Sequence, residues 1–232
     1  LENKLRILIL HNFYQQRGGE DFVFESERAL LNSYGHNIFP FTENNNSIKT
    51  FYSKAKSFFY SNYSKTSKDK LIKILNELGP DIVHVHNFFP LLTPSIYDAC
   101  YDKGIPVVQT LHNYRIICPG GLLLRDGLVC EKCIKGSAYQ AVIHKCYKNS
   151  YLGSLSVANM VEKHRNIGTW EKKVTKYIAL TEFAKTRFVM SGIPENKILI
   201  KPNFVFDLKK QINNKNLKRS GALFVGRLSQ EK

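Results

Sequence analysis

The sequence predicts an α/β fold, a parallel sheet with helices on both faces. Three observations carry that expectation. Short apolar runs alternate with amphipathic stretches along the chain, the connections are short, and glycine or Gly-Pro stops close the amphipathic segments. Several apolar runs are nearly continuous instead of alternating, as strands covered on both faces are.

In order, Leu5 to His11 is the first such strand. After Gly18-Gly19 comes a helical segment from Glu20 to Tyr34. Acidic residues in its first turn suit the helix dipole, Val23, Leu30, Leu31 and Tyr34 form an apolar stripe, and Gly35 is the stop. Asn37 to Phe41 is a second strand. Leu71, Ile74, Leu75 and Leu78 recur at helical spacing and end at Gly79-Pro80. Asp81 to His86 and Pro106 to Leu111 are the next strands, joined by a crossover helix, Pro94 to Lys103. Tyr177 to Leu180 and Ile198 to Lys201 follow, with a helix from Glu182 to Ser191 between them. This alternation is Rossmann-like, and such sheets bind ligands at the carboxyl ends of their strands. Three of those ends read His11-Asn12, His86-Asn87 and His112-Asn113. The chain divides into a main domain over 1–205, with a cysteine-containing insert at about 114–150, and a polar, basic linker over 206–220. In 221–232, Ala222 to Val225 opens the first strand of a second domain.

Composition narrows the function classes. At 43% hydrophobic and 23% charged, the 232-residue chain is globular, which excludes wholesale disorder. No apolar run reaches transmembrane length, and Leu1 to His11 lacks the basic start and cleavage site of a signal peptide. The net charge of +15 points to a polyanionic neighbour: nucleic acid, an anionic membrane or a phosphorylated substrate. Five cysteines, an odd count, fit a reducing cytoplasm better than a disulfide scaffold.

Gly18 and Gly19 precede a helix start, where glycine lets a phosphate reach free N–H groups. Their spacing is not the dinucleotide fingerprint, and the alternative is a tight turn needing positive φ. His84 and His86 face one side of their strand, either as metal ligands or as histidines bonded inside the fold. His112 follows its strand directly, at an end where ligands sit or as a satisfied cap.

Together these residues resemble glycosyltransferase family four. The segments that carry the resemblance are His11 to Glu20, Pro80 to Asn87, Thr110 to Arg115, Ala179 to Phe183, Lys201-Pro202-Asn203 and Val225 to Ser229, in the family's order across essentially the whole chain. The resemblance implies the N-terminal half of a GT-B glycosyltransferase, whose two Rossmann-like domains face each other across a cleft. It implies a retaining, hexosyltransferase-type enzyme. The sugar passes from a nucleoside-diphosphate sugar to a glycan or lipid-linked acceptor in surface polysaccharide or glycoconjugate synthesis. His112 matches the catalytic histidine that touches the donor sugar. Gly18 and Gly19 match the loop beside the donor diphosphate, and Arg227 and Lys232 the basic pair that holds it as it gains charge. Asn12, His86, Asn87 and Asn113 are acceptor-side candidates. Asn113 departs from the family, many of whose members carry an acidic residue there. The family's Glu-x7-Glu donor signature is absent from the sequence, so this portion is expected to be inactive alone. No catalytic metal is expected.

Two further patterns stand out. Cys118-x11-Cys130-x2-Cys133-x12-Cys146 supplies four thiols with one knuckle spacing, which suits a structural zinc; free thiols in a packed insert are the alternative. Lys49 to Lys73 interleaves lysines with Phe51, Tyr52, Phe58, Phe59, Tyr60 and Tyr63. Such a mixture fits an interfacial helix on an anionic leaflet, or a surface helix with its aromatics turned inward. The family context favours the inner face of the plasma membrane over nucleic acid. The rival readings are a zinc-dependent nucleic-acid-binding protein and a nucleotide-cofactor oxidoreductase, which the missing glycine fingerprint disfavours.

Overall fold

The structure, a computed structural model, describes residues 4–48, 61–206 and 220–223. In chain order its elements are β1 (Arg6–Phe13), α1 (Gly19–Ser33), β2 (Asn37–Asn44), α2 (Lys65–Leu78), β3 (Ile82–Val85), α3 (Ser95–Asp102) and β4 (Val107–Leu111). A small hairpin follows, β5 (Leu124–Arg125) and β6 (Leu128–Val129), then α4 (Lys132–Lys135), α5 (Gln140–Ile143), α6 (Tyr151–Asn166) and α7 (Thr169–Lys172). The chain closes the sheet with β7 (Lys176–Ala179), α8 (Glu182–Met190) and β8 (Ile198–Ile200). The six-stranded sheet has the order β2-β1-β3-β4-β7-β8, and every neighbouring pair is parallel. β1 is buried from Ile7 to Asn12. Successive side chains point to opposite faces, so both faces of this strand are covered, as its continuous apolar run predicts. Among the described residues, no helix is long and apolar enough to cross a membrane.

The main core joins Leu8, Leu10, Val83, Val85, Ile96 and Trp170. Its two fully buried tyrosines keep their polar ends paired: Tyr97 donates to the Gln109 side chain at 2.7 Å, and Tyr177 to the Trp170 carbonyl at 2.8 Å. Three of the helices start on side-chain caps. Ser64 accepts from the Ser67 N–H at α2, Ser150 from Gly153 at α6, and Thr181 from Ala184 at α8.

Three elements differ from the sequence reading. In α1 the buried face holds Asp21, Val23, Phe24, Ser26 and Glu27, while Leu30 and Leu31 are half-buried and Tyr34 is exposed. α6 is a long helix where no element was expected. Its buried face is mostly small or polar (Ser154, Ser156, Ala158, His164 beside Val157, Met160 and Val161), so no plain apolar stripe announces it. In the Lys49 to Lys73 stretch, residues 49–60 lie outside the described residues. The rest opens α2, which packs on α3; Lys68 and Lys70 pair with Asp102 at 2.6 Å and Glu43 at 3.2 Å, while Lys65 and Lys73 are exposed.

α2 ends at Gly79, left-handed with φ 51°, where an added Cβ would meet Arg6 at an ordinary 3.7 Å. The cost of a side chain there is therefore conformational. Gly79→Ala should lower unfolding stability by about 1 kcal/mol and Gly79→Asn by less, read from urea melts.

Candidate active site

Adjacent parallel strands deliver three histidines to one edge of the sheet. His11 lies near the end of β1, His86 directly follows β3, and His112 directly follows β4. The His11 and His86 rings are 6.3 Å apart, and the His86 and His112 rings stack at 5.2 Å. Asp21, in the first turn of α1, ties this line to the glycine loop. One of its oxygens bonds His11 Nε2 at 2.7 Å, and the other accepts from the Gly18 N–H at 2.8 Å.

A second buried carboxylate, Glu27, sits below the line. It lies 3.4 Å from His86 Nε2 and 3.8 Å from His84 Nε2, and it accepts from the ammonium of Lys201, just past β8. Burial pushes His84 down to about 3, and His86 and His112 to about 4, so these rings are neutral near pH 7. Burial alone would raise the Glu27 carboxyl, but the contact with His86, the nearby His84 ring and the Lys201 ammonium together hold it at about 2. Since the rings are neutral, the full positive charge facing Glu27 is that of Lys201.

Among the described residues, Glu27, His84 and His86 form the group whose donor atoms all lie within 4.8 Å of one another, as metal ligands would. A dication fits poorly. The single carboxylate charge is already matched by the Lys201 ammonium, and His84 Nε2 is spent on the Thr110 hydroxyl at 2.9 Å.

The carboxylate does order the histidines. A carboxylate only accepts, so the proton on His86 faces Glu27 from Nε2. At 3.4 Å this contact is electrostatic more than a formed hydrogen bond, and the atom has no closer partner. A neutral His86 then has a bare Nδ1, which accepts from the Nε2–H of His112 across 3.0 Å. That assignment leaves His112 Nδ1 as a bare acceptor, buried and without a protein partner.

His112 lines a small concavity of about 20 Å³ with His86, Asn87, Phe89, Asn113 and Arg115. The Arg115 guanidinium lies over the rings of Phe89 at 5.3 Å and Tyr147 at 5.0 Å, and it donates to the Pro119 carbonyl. Asn113 accepts from the Arg115 N–H at 3.0 Å and shapes that turn. Asn12 is a correction to the acceptor-side candidates. Fully buried, it is spent on Asn45 at 2.9 Å and the Leu91 N–H at 2.9 Å, so it braces the loops. Asn87 likewise donates to the Asn12 carbonyl and accepts from the Phe89 N–H, so it reaches the cleft wall with its side chain committed.

Gly18 caps α1 with φ −126° and Gly19 opens the helix. Neither has positive φ, so the tight-turn alternative is set aside, and nothing within 4 Å would meet a Cβ at either. Arg227 and Lys232 lie outside the described residues. Cys118, Cys130, Cys133 and Cys146 are free thiols in the insert that follows Arg115. Glu27, Arg115 and Lys201 are site residues that the sequence reading gave no role. For Glu27 a signal existed: it falls three residues after Phe24 and four after Val23, an acid at apolar-face spacing.

The depressed histidines set a pH dependence. Unfolded, these rings titrate near 6.5, so below that pH the unfolded chain binds protons that the fold refuses. Stability should fall as pH drops from 6.5 towards 4, each refused proton adding a slope of about 1.4 kcal/mol per pH unit. Protonation of Glu27 adds a further loss from 4.5 towards 2. Urea midpoints measured across this range should show the acid limb starting near 6.5, and a His86→Gln variant should have a shallower limb.

No curated protein matches the chain in sequence. Among solved structures, Anabaena Alr3699/HepE in complex with UDP matches at 13% identity and a TM-score of 0.44, over 88% of this chain and 45% of that one. The UDP-GlcNAc 2-epimerase from Methanocaldococcus jannaschii matches at 15% identity and a TM-score of 0.43, over 84% and 45%. The lipopolysaccharide outer core galactosyltransferase WaaB, in its apo form, matches at 12% identity and a TM-score of 0.41, over 83% and 44%. The chain thus spans less than half the length of these structures. Residues 48–206, more than half of the chain, match the family model Glycosyltransferase Family 4, and the chain belongs to that family.

Proposed function

We propose that the chain is the acceptor-side lobe of a retaining GT-B glycosyltransferase, which moves a hexose from a nucleoside-diphosphate sugar to a glycan or lipid-linked acceptor in surface polysaccharide or glycoconjugate synthesis. One observation supports this most. In a member of glycosyltransferase family 4, the glycine loop, an unpartnered nitrogen of His112 and the Arg115 guanidinium share one strand-end edge.

The transfer breaks the bond from the anomeric carbon to the diphosphate oxygen and forms one to the acceptor oxygen on the same face. The acceptor's proton leaves with the diphosphate. The sugar ring gains positive charge as the diphosphate gains negative charge. His112, as a bare acceptor, takes a hydrogen bond from a sugar hydroxyl, and a neutral imidazole does not repel the developing cation. Gly18 and Gly19 leave room for the diphosphate at the start of α1, where the Gly18 N–H is held by Asp21 and the following first-turn N–H groups lack helical partners. Arg227 and Lys232 supply cations from the other lobe. The net charge of +15 suits work on an anionic, cytoplasmic membrane face, where lipid-linked acceptors are held.

The test is release of nucleoside diphosphate from a panel of sugar nucleotides by the full-length enzyme. His112→Ala should lower kcat by about 100-fold with little change in donor KM, the scale of losing one preorganised stabilising group. Gly19→Ala should hold or raise thermal stability, because that position is open and helical, yet it should weaken donor binding. No release from any sugar nucleotide would overturn the transferase reading, and an unchanged kcat in His112→Ala would overturn the site.

A further inference from the structure

The insert over 114–150 has little regular structure of its own: a hairpin of two-residue strands and two single-turn helices. Five of the six non-glycine residues with positive φ among the described residues lie in it, Leu123, Asp126, Lys145, Lys148 and Asn149. Backbone of this kind persists only where its surroundings fix it. The insert lends Ile116, Ile117, Leu123 and Ile134 to the core, and its remainder needs another tie.

Its path gathers four cysteines. Cys118 opens a turn closed by the Gly121 N–H on the Cys118 carbonyl at 2.9 Å. The hairpin then returns the chain, so that the Cys130 N–H donates to the Leu123 carbonyl at 2.8 Å, two residues from that turn. Cys146 abuts the turn from the other side. A Cβ added at Gly120 would stand 3.6 Å from Cys146 Cβ and 3.8 Å from Cys118 Sγ. Cys133, buried at the start of α4, lies three residues past Cys130.

We propose that Cys118, Cys130, Cys133 and Cys146 bind one zinc ion tetrahedrally and that this ion staples the insert beside the cleft. The sulfurs are not yet at ligation distance: no three of them lie within 4.8 Å of one another, against about 3.8 Å for the edge of a zinc–thiolate tetrahedron. Neutral thiols have no mutual attraction to close that gap, and the ion supplies it. Rotation about one Cα–Cβ bond carries a sulfur by roughly 3 Å between staggered positions, so side-chain rotation is the first movement that draws the sulfurs together. Four thiolates, soft and anionic, favour zinc over calcium or magnesium.

The ligand positions also explain what the staple holds. Pro119, whose carbonyl accepts from Arg115, follows Cys118. Tyr147, whose ring covers the guanidinium, follows Cys146. A Cβ at Gly121, which closes the Cys118 turn, would press on Arg115 Nη2 at 3.0 Å. Fixing the cysteines therefore fixes two walls around the one cleft guanidinium. The zinc site stands independently of the transferase reading, since it concerns only how the insert is held.

The experiment is elemental analysis of the protein purified under reducing conditions without added chelator, followed by cobalt replacement. About one zinc per chain is expected, and cobalt should give intense visible bands with a thiolate charge-transfer band. Cys133→Ala should lose the metal, Cys130→His should keep it because histidine is an alternative ligand, and Cys100→Ser should be unaffected. Stripping zinc from the wild type should lower its melting temperature, and adding zinc back should restore it, which tests the site even if Cys133→Ala fails to fold. Metal-free protein that binds no cobalt, a disulfide between any two of the four cysteines, or bound iron in place of zinc would overturn the proposal.

Discussion

Glu27 lies charged beneath the carboxyl edge of the sheet, 4% exposed, and three separate strand ends answer to it. Stripping a buried charge of its partner costs about 3–5 kcal/mol in general. Here the figure is discounted, because the Lys201 side chain opposite it is 40% exposed. Even so, the constraint is strong enough to order its surroundings. Lys201 must reach in from the end of β8, a strand that in sheet order lies four places from β1. His86 must present a proton, and His112 inherits the opposite tautomer through a 3.0 Å contact. A neutral residue at position 27 would leave each of these choices open.

Much of the fold was legible because burial on both faces writes itself as unbroken apolar runs. Leu5 to His11, Asp81 to His86 and Pro106 to Leu111 correspond to β1, β3 and β4 within two residues at each end. Gly35 and Gly79 mark helix ends through their left-handed backbone. α6 escaped because its inward face is built from Ser154, Ser156 and Ala158, small residues that permit close packing without raising local hydropathy. The buried face of α1 was misread for the opposite reason: Leu30 and Leu31 advertise an apolar stripe, while Asp21 and Glu27 occupy the inward face. Periodicity finds the side that is apolar. It does not find a side that is buried because its charges are paired.

The same distinction separates the candidate site residues. His86, His112 and Asn113 could be singled out because they follow apolar strands at ends where a parallel sheet opens. Asn12 satisfies that rule equally well and is nonetheless scaffold, because its neighbours Asn45 and Leu91 come from other connections that no local pattern reveals. Arg115 needs still more distant knowledge. Its setting depends on Phe89 from the loop after β3 and on Tyr147 from the far end of the insert.

Charge accounting shows why Arg115 matters. The chain carries +15 overall, yet the edge itself holds no such surplus: Lys201 is offset by Glu27, burial discharges His84, His86 and His112, and the buried Asp21 carboxylate lies against His11. A bulk surplus draws anions from a distance but is screened beyond roughly 8–10 Å in physiological salt. It cannot position an anion within the cleft. Arg115 donates to a carbonyl, and among the described residues no ion pair matches it with a carboxylate. Two aromatic rings flank it and reduce the competing water, which strengthens its field at short range. Within the described residues, Arg115 is the guanidinium that lines this concavity. Its direction is set by the turn at Cys118 and the ring beside Cys146, which places the insert's rigidity, and not the surface lysines, in control of the site's electrostatics.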